Sequence, residues 1–327
     1  MEYEPEDIFQ EFIAELPKEP SNTKSDTVNN NGIGKVRREG KTLSEYWETA
    51  KNEYRKRAER GAPELPTGIA WIDELTDGLH RGELWTISAK SSFGKTSMAL
   101  NIARNIADKN KSVLFISLEM RGEELVSRLF CEMNRYDHQN LRKGFIVNVS
   151  DFQNKDKAFT DFLNAVDFEI VEQGYRFKDI EAIIASYYEG GYPDLICIDF
   201  AQLIDTTVAK DERLALQDYI RKLTELAKTK KIAILLVSQL RRLPSGADYN
   251  REPGMEDMKG TGALEQLSTV VILIYKVIIN GDIRVMVKLA KNRHGACGEQ
   301  EMRFVGENFR FEEMPERNEF NERKDLA

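Results

Sequence analysis

The chain reads as an α/β protein with a mostly parallel central sheet flanked by helices. Three observations predict this. Apolar runs of strand length at 84–89, 112–119, 194–200 and 232–239 alternate with amphipathic helical stretches at 122–134, 177–188 and 212–229. The first of these strands runs straight into a small-residue loop, Ala89-Lys90-Ser91-Ser92-Phe93-Gly94-Lys95-Thr96, that opens a helix. The strand Leu195-Ile196-Cys197-Ile198 ends on Asp199, and strand ends are where a wound parallel sheet presents its ligand-binding edge.

A length of 327 residues gives room for one large α/β domain with extra segments. With 41% hydrophobic and 31% charged residues the composition is that of an ordinary soluble protein. The net charge of −8 excludes a surface coated with lysine, so any nucleic-acid contact must be local. Cys131, Cys197 and Cys297 lie far apart and the chain has only 3 histidines, which excludes a zinc site and a disulfide framework and points to a reducing compartment. The acidic N-terminus lacks the basic and apolar regions of a signal peptide, and the longest apolar runs, such as 232–237, have the length of core strands. No membrane span and a cytoplasmic location are expected.

Taken in order, residues 5–16 have the pattern of a short acidic amphipathic helix, and 17–42 are polar and nearly free of large apolar side chains. Residues 1–42 therefore read as an acidic, flexible segment. A linker helix is expected over 43–61, capped by Thr42, with Leu43, Tyr46, Trp47, Ala50 and Tyr54 on one face. That face has two natural partners, its own domain or a neighbouring subunit. The main domain spans 62–313 and a charged tail 314–327. Further strands are expected at 168–172, 269–275, 283–289 and 300–305, while 135–167 has no clear pattern. The stretch 241–267, rich in proline and glycine, reads as a mobile loop and not as core.

The loop 89–96 is a phosphate-binding P-loop. Backbone N–H groups around Ala89, Ser91, Ser92, Gly94 and Ser97, with the positive end of the following helix, surround the phosphates of a nucleotide. Lys95 reaches the β- and γ-phosphates, and the Thr96 hydroxyl holds Mg²⁺. Ala89 stands where the pattern usually has its first glycine. Asp199 is placed to bind the same Mg²⁺ through water, across from Thr96. Glu119, closing the strand Val113-Leu114-Phe115-Ile116-Ser117-Leu118, is either the carboxylate that orients an attacking water or an exposed strand-end glutamate. Gln239 ends another apolar strand, where a neutral amide can sense a γ-phosphate. Lys259-Gly260-Thr261-Gly262 offers backbone N–H groups and a lysine to a nucleic-acid backbone, or is a plain solvated loop.

With these residues in place, the chain resembles the C-terminal ATPase domain of the DnaB-family replicative helicases, a branch of the RecA-like ATPases, over about residues 62–313. The resemblance is carried by Pro66-Thr67-Gly68 with Asp73-Glu74-Leu75-Thr76, the P-loop with its Ala89, Phe115 to Met120, Asp199-Phe200-Ala201-Gln202-Leu203, Ser238-Gln239-Leu240, Gly262-Ala263-Leu264-Glu265-Gln266 and Lys291-Asn292-Arg293-His294-Gly295. It implies a RecA-like fold, ATP and Mg²⁺ as ligands, Glu119 as the catalytic glutamate and Arg128 as a nucleotide contact. It also implies that Lys291 and Arg293 reach into a neighbouring subunit's site. Lys259, Gly260 and Gly262 fall in the family's DNA-binding loop, where this chain has Lys-Gly-Thr-Gly in place of Arg-Glu-Ser-Gly. The implied assembly is a homohexameric ring on single-stranded DNA, with primase or other replisome proteins as partners. The residues before Leu43 are too few and too polar for the family's helical collar, which suggests a phage or mobile-element type. The expectation is an ATP-driven DNA helicase. Its rivals are a DNA-dependent ATPase that does not unwind and a nucleotide-switched assembly factor.

Overall fold

The computed structural model describes residues 42–172, 177–186, 191–199, 212–241, 251–258, 262–279 and 282–314. The helix expected at 5–16, the linker up to 41, the stretch 200–203, Lys259, Gly260 and the tail from 315 lie outside them. The chain divides into two compact units, 1–63 and 64–327.

In the first unit, helix α1 (Leu43–Arg60) begins on a capping box: the Thr42 hydroxyl accepts the Glu45 N–H at 3.2 Å, and the Glu45 carboxylate accepts the Thr42 N–H. Gly61, at φ 66°, ends it in the left-handed conformation that glycine adopts without steric cost. Leu43, Tyr46, Trp47 and Tyr54 are exposed, and no residue of α1 is buried.

The second unit is built on one sheet. Its strands are β1 (Leu84–Ala89), β2 (Val113–Ser117), β3 (Phe168–Val171), β4 (Leu195–Asp199), β5 (Ala233–Gln239), β6 (Val270–Ile279), β7 (Asp282–Asn292), β8 (Gly298–Val305) and β9 (Arg310–Glu313), in the spatial order β3-β2-β4-β5-β1-β6-β7-β8-β9. From β3 to β6 neighbours are parallel; from β6 to β9 they are antiparallel. Strands β1, β2 and β4 are buried along their whole length, which is why they read as mainly apolar runs with no polar face. Alternate side chains feed two cores. Trp85, Ile87, Phe115, Cys197 and Leu235 pack with α3 (Lys95–Ala107), α4 (Gly122–Asn134) and α6 (Val149–Ala165). Leu84, Leu114, Ile116, Ile198 and Leu236 pack with α7 (Phe177–Ser186) and α8 (Glu212–Lys230).

Three elements depart from the sequence expectation. The stretch 135–167 forms α5 (His138–Arg142) and α6, started by Asp137 and Asn148, whose side chains accept from Asn140 N and Asp151 N. Strand β9 adds an unexpected edge. The stretch 241–267, expected to be loop and not core, instead contributes core: Met258 and Leu264 are buried, a 3₁₀ turn spans Met255–Asp257, and α9 covers Gly262–Leu267. Three apolar side chains among its glycines, Met258, Ala263 and Leu264, pack on the β5–α8 face. No helix among the described residues is long and apolar enough to cross a membrane.

The segment before β1 is fastened to α3. Helix α2 (Ala70–Thr76) carries Asp73, whose carboxylate accepts from Thr67 N, Thr67 Oγ1 and Gly68 N at 2.8, 2.8 and 3.0 Å. Asn105 of α3 donates to Thr67 O at 2.7 Å and fills the space a Cβ on Gly68 would need. The Pro66-Thr67-Gly68 and Asp73 motif is thus a clasp on the P-loop helix.

Candidate nucleotide site

Four strands of the parallel sheet deliver their last residues to one edge. β1 ends at Ala89 and passes through the P-loop into α3. β2 leads to Glu119, β4 ends on Asp199 and β5 on Gln239. The register sets Ala89 beside Gln239 and Ser117 beside Asp199. This edge lies outside the carboxyl ends of parallel strands, the place where such sheets bind ligands.

The loop turns on two positive-φ residues, Ser92 at 64° and Gly94 at 86°. Gly94 is the N-cap of α3, so the helix starts at Lys95 with its free N–H groups turned to the loop. No side chain fits at Gly94. A Cβ there would come within 2.8 Å of Phe311 Cζ and 3.3 Å of Phe304 Cε2, two rings that pack together beneath the loop with centroids 4.7 Å apart. Lys95, Thr96 and Ser97 are buried.

Lys95 Nζ is 3.2 Å from Glu119 Oε2, with the lysine side chain 9% exposed and the glutamate 46%. Asp199 is fully buried, and neither of its carboxylate oxygens has a hydrogen-bond partner. Burial pushes the Asp199 carboxyl up, with the Lys95 charge and the nearby Thr96 hydroxyl working against it and Glu119 adding to it. An unsatisfied buried carboxylate beside a threonine hydroxyl fits an outer-sphere partner for Mg²⁺, which keeps several waters and is usually held by one or two carboxylates together with substrate phosphates. Among the described residues no group of three or more His, Cys, Asp or Glu could cage a metal by itself.

Gln239 Nε2 donates to Ser91 Oγ at 2.6 Å, and Leu240 N to Ala89 O at 3.0 Å, so the end of β5 is tied to the P-loop. Arg128, on α4, donates to Glu124 at 3.3 Å and lies 4.5 Å from the centre of the Phe309 ring. Its Nε is buried without a hydrogen-bond partner, and Phe309 holds a strained φ of 59°. His138 stacks edge-on against the same ring, and burial with the Arg128 charge pushes its imidazole below the usual range. The Phe304, Phe309 and Phe311 supports come from a hairpin some two hundred residues beyond the P-loop, and nothing local in the sequence marks them.

Lys291 and Arg293 are not part of this cluster. Val270 pairs with Trp85 on one side and with Asn292 on the other, so the end of β7 lies level with the start of β1. From there Ala89 is four residues further along the sheet, about 13 Å at the usual rise of a strand. Both cations cap the C-terminus of α9: Lys291 donates to Glu265 O and Gln266 O, and Arg293 to Gln266 O. Burial and the Arg293 charge push the Lys291 amine below its ordinary range. Gly262 opens α9, next to Lys259 and Gly260, which lie outside the described residues.

The model of the DnaB-like helicase C-terminal domain matches residues 64–313. Among curated proteins the chain is similar to the replicative DNA helicase DnaC of Bacillus subtilis, 31% identical over 264 residues, and to the replicative DNA helicase DnaB of Geobacillus stearothermophilus, 30% identical over 261 residues. Each match covers 77% of this chain and 57% of the relative, so the chain spans little more than half the length of these relatives. Among solved structures, the ATPase domain of G40P superposes with a TM-score of 0.75 at 23% identity, covering 84% of this chain and 99% of that one. A DnaB-like replicative helicase described with its primase interactions superposes at 0.74, with 68% of that chain covered. The fold is RecA-like.

Proposed function

Because the chain belongs to the DnaB-like helicase C-terminal domain family, we propose that it is the ATPase motor of a replicative DNA helicase, working as a homohexameric ring on single-stranded DNA in the cytoplasm of a bacterial or phage-infected cell. The observation that carries this reading is the separation of two groups of polar and charged residues between the two ends of one sheet. Lys95, Thr96, Glu119, Asp199 and Gln239 gather at one end, and Lys291 and Arg293 stand at the other. A ring joins the two halves, since one subunit's Arg293 end then faces the next subunit's P-loop.

In that site the P-loop amides and Lys95 bind the β- and γ-phosphates of ATP. Thr96 and Asp199 would hold Mg²⁺, which would supply neutralising charge to the bound phosphates. Glu119, released from Lys95 by the competing phosphate, accepts a hydrogen bond from the attacking water and aims it in line with the leaving group. Arg293 from the next subunit adds donors where transition-state charge develops, and Lys291 lies beside it. Arg128 lies along the nucleotide. Gln239, through Ser91, passes the state of the P-loop to the segment after β5, and through it to Lys259, Gly260 and Gly262 at the DNA. The primase interaction of the structural neighbour supports a replisome protein as a further partner.

The test is strand displacement. The full chain is incubated with ATP, Mg²⁺ and forked DNA, and the same sample is imaged by electron microscopy. Rings that displace the strand support the reading. DNA-stimulated ATPase without displacement would assign a translocase or assembly role instead.

A further inference from the structure

Arg293 sits in a turn whose neighbours on both sides are fastened to the segment ahead of β1. Asn292 donates to Leu75 O at 3.0 Å and to Ala296 O at 2.8 Å, while its Oδ1 accepts the His294 N–H at 2.9 Å. His294 Nε2 is 3.0 Å from Glu83 Oε2, the oxygen that also accepts the indole N–H of the fully buried Trp85 at 3.1 Å. The His80 ring meets the His294 ring edge-on at 4.7 Å and is itself 2.9 Å from Thr76 O. Two of the chain's 3 histidines are spent here, far from the chain's own phosphate site. The Arg293 N–H is tied to Thr269 O at 3.1 Å, so its main chain is set by the residue that leads into β6 and its flanks by the Leu75 to Glu83 segment.

We propose that His294, gripped by Glu83 and His80, is a positioning residue for Arg293, which it holds ready for the neighbouring subunit's γ-phosphate. This rests on the reading of Arg293 as an arginine acting in trans. A guanidinium on a long side chain stabilises a transition state only if its base is held still, and a shift of about 1 Å in such a group costs up to about 10²-fold in rate. Core-anchored Glu83 and Trp85 supply that stillness from a different part of the chain, so the mount does not depend on nucleotide.

The experiment compares full-length His294→Ala, His294→Gln, Glu83→Ala and Arg293→Ala in ATP hydrolysis stimulated by oligo-dT. Each variant is assayed alone and mixed with Lys95→Ala subunits, which bring an intact turn but no working P-loop. His294→Ala is expected to lose about 10-fold to 10²-fold in kcat with KM for ATP little changed. His294→Gln, whose amide can still reach Glu83, is expected to recover most of the loss. Mixing with Lys95→Ala is expected to restore hydrolysis to His294→Ala and to Arg293→Ala alike, an outcome that a purely structural role for His294 would not give. If His294→Ala fails to fold, Glu83→Ala carries the same test from the other side of the contact. Wild-type kcat in the folded variant, or a defect that Lys95→Ala subunits do not complement while they complement Arg293→Ala, overturns the proposal and leaves the trans arginine standing. Wild-type hydrolysis by Arg293→Ala overturns the trans reading itself, and the proposal with it.

Discussion

Lys95 Nζ and Glu119 Oε2 stand 3.2 Å apart, so the cation of the P-loop and the carboxylate proposed to aim the water are each other's partner. In the proposed site a triphosphate would offer Lys95 several oxygens of higher charge density, and Glu119 would be freed when nucleotide is in place. Lys95→Ala is expected to abolish hydrolysis while leaving the fold intact, because the Glu119 carboxylate left behind is about half exposed and is hydrated by solvent. Glu119→Gln should keep ATP binding and lose turnover. Steady-state hydrolysis with a thermal melt of each variant decides it, and wild-type turnover in folded Lys95→Ala would falsify the P-loop assignment.

Asp199 gives a pH prediction of defined sign. Its carboxyl is raised by burial, so the folded state holds its proton to higher pH than the unfolded chain does. The folded state is therefore favoured by this group below the ordinary carboxylate pKa, and that advantage is lost as pH rises from there through the raised value. Asp199→Asn keeps the shape without the charge. It should raise Tm at neutral pH in the absence of nucleotide and flatten the pH dependence of Tm above the carboxylate range, while abolishing Mg²⁺-dependent hydrolysis. A neutral-pH Tm at or below wild type would show that the charge is better compensated than its burial implies.

Much of this site was legible in the sequence because its chemistry is local. The strand-loop-helix of the P-loop, the strand ending on Asp199 and the one ending on Gln239 each carry their signal within ten residues, and all three strands formed close to their expected bounds. The illegible parts are non-local. Helix α6 is hard to read because only Phe159 is fully buried, while Phe152 and Phe162 pack partly exposed against the core and the residues between them are mostly polar. Met258 and Leu264 were hidden among glycines, since burial of single side chains in an irregular segment leaves no periodicity. The Gln239–Ser91 bond joins residues 148 positions apart, and the Phe304–Phe311 support beneath Gly94 is as remote.

That support makes Gly94 a stability probe. At φ 86° a side chain meets backbone strain of about 1–2 kcal/mol, and a Cβ at 2.8 Å from Phe311 Cζ adds a clash with a ring packed against Phe304. Gly94→Ala should destabilise the protein by about 2–4 kcal/mol in chemical denaturation. Adding Phe311→Leu should recover the steric part and not the conformational part. Equal stability of Gly94→Ala and wild type would mean that the loop relaxes freely.

Lys259 tests the DNA loop. If it contacts a phosphate, Lys259→Ala should weaken binding of single-stranded DNA and make the plot of log affinity against log salt shallower by about 0.7, the counterion release of one contact. Fluorescence anisotropy on a labelled oligonucleotide at several salt concentrations measures both. Unchanged affinity and slope would assign Lys259 to the solvated surface.

Arg293 carries the most demanding prediction, because the register of β6 and β7 puts it at the far end of the sheet from its own P-loop. Its guanidinium rests on Gln266 O, beside Lys291 on the same carbonyl. Arg293→Ala should therefore still fold, assemble and bind ATP, while turnover falls by about 10³ or more, as when other arginine fingers are removed. Arg293→Lys should recover little of that, since an ammonium keeps the charge but not the planar fork that matches several phosphate oxygens at once. Removing the Arg293 charge also relieves Lys291 of the repulsion that, with burial, depresses its amine, so Lys291 should become more firmly protonated in the Arg293→Ala protein. If Lys291 were the group that acts on the neighbour's phosphate, Arg293→Ala would hydrolyse ATP at least as well as wild type. Comparing kcat and nucleotide affinity for Arg293→Ala, Arg293→Lys and Lys291→Ala in assembled protein separates the two, and near wild-type hydrolysis in Arg293→Ala would move the role to Lys291 or to Arg303, an exposed residue of β8.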